Sequence, residues 1–262
     1  MFPSGHGHDS SFPMKIFPRL FLATLLFVGP LHAEKTSIID PNALSMLKRM
    51  SSALSNAKAF TFRSRSIHEV PAINGQFVTF FSEGEVALKR PDKIRARHGG
   101  DAPAFDFYYD GRSVSALAPA MKVFSTLEAP ATIDEMLPGL SHETGIRFPS
   151  APLLRSDSYS ILTRGLLSAI VIGPTRVNGD KCDHLAFRSP GVDWEIWIST
   201  GSDALPRRLS VTFLDKPGLP RTVIEFSHWN LHPWLSNSSF VFHKPPGDRE
   251  IPFAAVFHSA DR

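Results

Sequence analysis

Three dipeptides constrain this chain more than any other feature. Asn74-Gly75, Asp110-Gly111 and Asn178-Gly179 each separate runs of residues that alternate in polarity. Asn, Asp and Gly tolerate positive φ, which a two-residue hairpin turn demands, so each dipeptide joins two antiparallel strands. From Ala59 the side-chain period is two. Phe60, Phe62, Ser64 and Ser66 point one way, and Thr61, Arg63, Arg65 and Ile67 the other. The return strand over residues 77–88 gathers Val78, Phe80, Ser82, Gly84, Val86 and Leu88 on a single face. The same alternation predicts strands at 93–98, 105–109, 112–118 and 123–127. A second meander occupies 166–172, 181–188, 192–199, 207–214 and 221–229, with a short closing strand at 240–242. Strands in sequence order with tight turns pair antiparallel. About eleven in one sheet curl rather than lie flat.

Two segments carry a different period. Asp40 can cap a helix with Pro41 at its first position, and Leu44, Leu47, Met50 and Leu54 come after it at helical spacing, with Lys48 and Arg49 on the other side. Thr132-Ile133-Asp134-Glu135 is a capping box, continued by Met136, Leu137 and Leu140. Pro138-Gly139 predicts that this helix is short or kinked. Residues 153–164 predict one or two short helices more, so 132–164 forms a helical insertion between the strand-rich halves. An amphipathic helix needs an apolar surface to lie on. The expected fold is therefore α+β: a strongly curved antiparallel half-barrel with helices covering its concave face.

The N-terminus reads as an export signal. Lys15 and Arg19 precede an apolar run from Leu20 to Val28, and Leu31-His32-Ala33 offers a cleavage site before Glu34. The run is shorter than the roughly 20 residues a membrane helix needs, so no stable span is expected once the signal is removed. Residues 1–13 add nothing to the signal, and Met14 is an alternative start. Residues 34–262 are expected to form one domain in the periplasm. The single cysteine, Cys182, excludes an internal disulfide, so stability rests on a packed core, for which 21 Phe and 4 Trp provide the material.

Composition and motifs narrow the function. A formal charge of +3, scattered along the chain, excludes a nucleic-acid surface. There is no nucleophile elbow, phosphate loop or dinucleotide fingerprint. Asp183, His184, Asp193 and Glu195 are expected to scatter over both faces of their strands, and the spacing of His228, His232 and His243 is irregular for metal ligation. No enzyme, metal site or cofactor is expected.

Ala59-Phe60-Thr61-Phe62, the stretch Gly84-Glu85-Val86-Ala87-Leu88-Lys89-Arg90-Pro91-Asp92, and Tyr108-Tyr109-Asp110-Gly111-Arg112 resemble the opening of the periplasmic lipoprotein-localisation carriers. Phe240-Val241-Phe242 with Pro245-Pro246-Gly247 is similar to their closing strand. Asp40-Pro41 to Met50, Cys182 to Arg188, Val192 to Ile198 and Leu205 to Leu209 look more like a predicted periplasmic family, domain of unknown function 2092. The resemblance implies a half-barrel of the LolA/LolB-like kind, with helices as a lid over an apolar cavity. It also implies that the arginine of the Lys-Arg-Pro turn, here Arg90, latches the lid by bonding to helix carbonyls.

Alternation supplies a candidate cavity wall: Phe60, Phe62, Val78, Phe80, Val86, Leu88, Trp194, Ile196, Ile198, Leu209, Val211 and Phe213. A wall of that kind gains ~0.8 kcal/mol per methylene buried from a long-chain ligand. Two readings stay open. Either the protein is a carrier or sensor binding acyl chains or a lipoprotein, or the same residues form a filled core and the molecule is an interaction module for an envelope protein.

Overall fold

The computed structural model describes residues 38–144, 148–253 and 256. The fold starts at α1 (Pro41–Asn56), where Asp40 Oδ1 accepts from Asn42 N at 2.8 Å and Pro41 opens the helix. Six strands come next: β1 (Ala59–Pro71), β2 (Phe77–Lys89), β3 (Lys93–Gly100), β4 (Phe105–Tyr109), β5 (Ser113–Ala118) and β6 (Val123–Glu128). The helical insertion holds α2 (Ile133–Thr144), α3 (Ala151–Leu154) and α4 (Ser158–Thr163). The second meander is β7 (Ser168–Val177), β8 (Asp180–Ser189), β9 (Val192–Ser199), β10 (Pro206–Phe213) and β11 (Arg221–Asn230), and β12 (Arg249–Glu250) is the last strand.

All twelve strands lie in one curved, open sheet of order β12-β6-β5-β4-β3-β2-β1-β11-β10-β9-β8-β7. The two meanders meet where β1 pairs antiparallel with β11, from Thr61 opposite Asn230 to His68 opposite Thr222. Register puts Phe60, Phe62, Ser64, Ser66 and His68 on the concave face with Leu88, Val86, Gly84, Ser82 and Phe80 directly opposite on β2. The curved α+β sheet expected from the alternation is the fold observed.

The closing strand differs. Residues 240–242 are not paired as a strand; Phe240 ends a 3-10 turn (Asn237–Phe240) and is fully buried. Phe242 packs instead against the rings of Tyr108 (5.8 Å) and Phe124 (5.5 Å) on the outer face. The segment is held by rings rather than by backbone pairing, and Pro245-Pro246 beyond it has no N–H to give to a ladder. The twelfth strand is Arg249–Glu250, parallel to β6, with Arg249 N donating to Lys122 O at 3.0 Å.

The helices cover the concave side. Ala43, Leu47, Met50 and Leu54 of α1 have no exposed surface and join one core with Phe60, Leu88, Ile196 and Ile198. At about 1.5–3 kcal/mol for each large apolar side chain fully buried, this stripe fixes α1 to the sheet. A ring cluster fills the base of the trough: Phe62 lies 4.5 Å from Trp229 and 5.6 Å from Phe226. α2 starts at the expected capping box, Thr132 Oγ1 accepting from Glu135 N at 3.3 Å. It runs on through Pro138, because a proline inside the helix removes a single intrahelical donor while Ile133, Met136, Leu137 and Leu140 bury the stripe around it. The Tyr109 hydroxyl donates to Pro130 O just before α2, tying the lid to β4. Burial, with Asp92, Asp110 and Glu135 nearby, holds that phenol well above the usual tyrosine range. Within the described residues no helix is long and apolar enough to cross a membrane. The expected signal, its cleavage after Ala33 and the alternative starts fall outside them.

Candidate ligand cavity

The concave face changes character along β1 and β2. At one end Phe60, Phe62 and Leu88 fill the space under α1. One rung further the facing residues shrink: Ser64 opposes Gly84, and Ser66 opposes Ser82. On β3, Ala96 pairs with Val86, and His98 pairs with Gly84. Small side chains cannot reach the lid, so a chamber of about 150 Å³ opens there. Its apolar walls are Val86, Ile94, Ala96, Phe105 and Phe107 from the sheet and Leu137, Phe148, Pro149 and Leu154 from the lid side. A Cβ at Gly84 would stand 2.7 Å from Ser64 Oγ, so any larger residue would turn that hydroxyl aside.

A second chamber of about 230 Å³ lies between the lid and the other half of the sheet. Pro152, Leu153, Ile161 and Leu162 face Val192, Trp194, Leu209 and Val211 across it, and Arg164 stands among its lining. Pro149 lines both chambers and stands between them just before α3.

Of the twelve wall residues expected from alternation, nine divide between core and chambers. Register places them on the concave face. Phe60, Phe62, Leu88, Ile196 and Ile198 are buried in the packed core. Val86 lines the first chamber; Trp194, Leu209 and Val211 line the second. Phe80 and Phe213 are half-buried, and Val78 is open to solvent near the hairpin tip. The small and polar residues of the same face, Ser64, Ser66, His68, Gly84, Ala96 and His98, are not in the wall that alternation supplies. Their signal is present in the sequence, as a run of large side chains giving way to Ser and Gly, but its consequence depends on what the lid leaves uncovered.

Arg90 sits in the turn after β2, and its guanidinium is directed at helix ends. Nη1 donates to Leu154 O at 3.0 Å, and Nη2 to Leu54 O at 3.3 Å and Arg155 O at 3.5 Å. These carbonyls end α1 and α3, where helix dipoles leave partial negative charge, so one cation joins two lid helices to the sheet. The guanidinium also lies 5.9 Å from the Phe60 ring centroid. Asp134 of α2 accepts from Ser156 N at 2.8 Å and from Ser156 Oγ, which links the third lid element to the α3–α4 loop.

The polar residues considered for chemistry lie elsewhere. His184 Nε2 is 2.8 Å from Glu195 Oε2, and the His184 ring stacks on Trp197 at 4.0 Å. Asp193 is paired with Arg188. Register puts His184, Asp193 and Glu195 together on the outer face and only Asp183 on the other, so they scatter less than alternation suggested, because β8 and β9 pair in matching phase. Cys182 is buried, and burial raises its thiol above the ordinary cysteine range. No group of three or more potential metal ligands occurs among the described residues.

The family model for predicted periplasmic protein DUF2092 matches residues 43–254. The chain belongs to that family. It is accordingly a periplasmic protein. Among solved structures, lipoprotein LppX from Mycobacterium tuberculosis is similar at 14% identity and TM-score 0.48, over 73% of this chain and 96% of that one. LprF from Mycobacterium bovis is similar at 11% identity and TM-score 0.46, over 81% and 100%. A putative outer membrane lipoprotein-sorting protein domain from Vibrio parahaemolyticus is similar at 11% identity and TM-score 0.35, over 75% and 95%. No curated protein matches the sequence.

Proposed function

We propose that this DUF2092 protein is a non-enzymatic periplasmic carrier or sensor that takes an acyl chain, free or on a lipid-bearing partner, between its sheet and its helical lid. The observation that carries this reading is the apolar chamber left where Ser64, Gly84 and Ala96 fail to reach the lid, beside a second apolar chamber that shares Pro149. Chambers of about 150 and 230 Å³ are each smaller than the ~300–1,000 Å³ of ordinary ligand pockets, and one of the first size suits a benzene-sized group. The arrangement therefore fits a closed form, in which a long chain enters only as the lid lifts and the chambers join. Arg90 is the residue whose bonds to Leu54, Leu154 and Arg155 oppose that movement.

A second reading has an observation of its own. Beyond the chambers, the β1–β2 hairpin exposes apolar side chains on both faces and at its tip, Val70 and Val78 on one, Phe81 on the other and Ile73 in the turn, material for an edge or tip contact with a protein partner in the envelope. Native purification and then lipid mass spectrometry, with displacement of a fluorescent fatty-acid probe, separates the two. Co-purifying lipid and saturable probe binding support the carrier. A protein that binds no probe and retains no lipid is an interaction module with a filled core.

A further inference from the structure

The first chamber is apolar on most of its walls but not at its end toward the β1–β2 hairpin. There His68 Nδ1 lies 3.2 Å from Thr222 Oγ1, and its Nε2 lies 3.2 Å from Ser66 Oγ and 3.4 Å from Ser82 Oγ. The two serine hydroxyls are 2.7 Å apart. Across β2, the His98 ring stacks on Phe105 with centroids 4.7 Å apart. Both histidines line the chamber, with Ser64, Ser66 and Arg97. Past His68 and the half-buried Phe80, Val70 and Val78 are the next exposed residues on the same face toward the hairpin tip.

Hydroxyls and imidazoles inside an apolar trough cost free energy unless they bond to each other or to a ligand. A core that only needed filling would be better served by Val or Leu at these positions. The donor set also has a sign. No carboxylate lines this chamber among the described residues, whereas two imidazoles and the hydroxyls of Ser64, Ser66 and Ser150 do. Hydroxyls can donate to an oxyanion, and an imidazole that gains a proton donates from both nitrogens and carries positive charge, so with no carboxylate present the set favours an anion. The Arg97 side chain alternates to the outer face, where it lies 3.7 Å from Asp106, which leaves the histidines as the chamber groups able to add charge.

We propose that His68 and His98, with Ser64 and Ser66, form the headgroup subsite for an anionic amphiphile, a carboxylate or phosphate headgroup whose chain runs into the apolar chamber. The inference rests on the carrier reading and specifies its ligand class. Its second consequence is pH dependence. Burial lowers both imidazoles from the usual value of 6.5, and His68 lowers His98 further, so both are neutral near pH 7.5 in the empty protein. An anion between them favours the protonated form, so binding takes up protons and tightens as pH falls toward 6. The groups facing the pair from its neighbours are uncharged: Thr222 on β11, Phe80, Ser82 and Gly84 on β2, and Phe105 on β4.

The test uses the full chain and two matched probes, cis-parinaric acid and its methyl ester, with binding monitored by fluorescence at pH 6 and pH 8. The acid is expected to bind about tenfold more tightly than the ester at pH 6, with a margin of about twofold at pH 8, since one proton taken up is worth up to tenfold per pH unit. In the His68→Gln/His98→Gln double variant the preference for the acid should disappear, and His98→Gln alone, which leaves the Thr222–His68–Ser66 bonds in place, should reduce it. Equal binding of acid and ester at both pH values overturns the headgroup subsite while the apolar cavity stands. Binding of neither probe overturns both. Displacement of the acid by millimolar inorganic phosphate overturns the amphiphile assignment, because a free oxyanion would then suffice.

Discussion

Ala96→Leu distinguishes a real chamber from a filled core by the sign of its effect. Ala96 lies on the concave face of β3 between Val86 and Phe107, and its methyl faces the first chamber. Leucine adds three carbons. If they enter the roughly 150 Å³ of apolar space, each buried carbon is worth about 0.8 kcal/mol, a gain of about 2 kcal/mol. In a domain of this size each kcal/mol moves Tm by about 2–4 °C, so the midpoint should rise by about 4–8 °C. The leucine would also occupy the space a ligand needs, so binding of a fluorescent fatty acid should weaken at least tenfold. Were the site packed, the same three carbons would force strain costing about 1–3 kcal/mol, and Tm would fall. Thermal and urea denaturation read the stability, and probe titration reads the binding. A destabilised variant with unchanged probe affinity would refute the chamber and the function built on it.

Arg90→Met keeps the stem beside Phe60 but loses the bonds to Leu54, Leu154 and Arg155; stability should drop by about 2 kcal/mol, and hydrogen exchange should speed up at the ends of α1 and α3 while β-sheet amides stay protected. Stability should decline at both pH extremes. His68 and His98 are lowered in the fold, so the unfolded chain takes up their protons first; their contribution is complete above about pH 6.5 and is lost as pH falls below it. Tyr109 is raised, so its contribution is complete below about pH 10 and is lost above it, and Tyr109→Phe should flatten the alkaline limb of a urea-midpoint profile. Gly100→Ala should cost about 2 kcal/mol, since φ is +142° and a Cβ would stand 2.2 Å from Phe81 O, whereas Gly179→Ala, where a Cβ meets open space, should cost about 1 kcal/mol in urea denaturation.

Much of the fold is legible in the sequence because its rules are local. The period-two runs from Ala59 and Phe77, the turn at Asn74-Gly75, the Asp40-Pro41 cap and the Thr132 capping box each depend on residues within one strand or one helical turn. Antiparallel order then comes from short connections. Phe240-Val241-Phe242 departs from expectation for the same reason, since alternation cannot tell a strand that bonds from a segment that packs its rings on Tyr108 and Phe124. The site is half legible. Alternation puts Phe60, Phe62, Val86 and Leu88 on the right face, yet whether a residue on that face fills a core or borders a void depends on the element above it.

By itself, then, the sequence determined the strands, their faces, the helix starts and the aromatic supply for a core, all set by backbone preference and periodicity over a few residues. The tertiary structure decided where the lid stops short of the sheet. It brought the carbonyls of Leu54 and Leu154 to Arg90. It also gathered His68, Thr222 and Ser82 from three strands at one end of a chamber. Those last placements join residues 14 to 154 positions apart in the chain. Only curvature and packing of the whole sheet bring them within a hydrogen bond of each other.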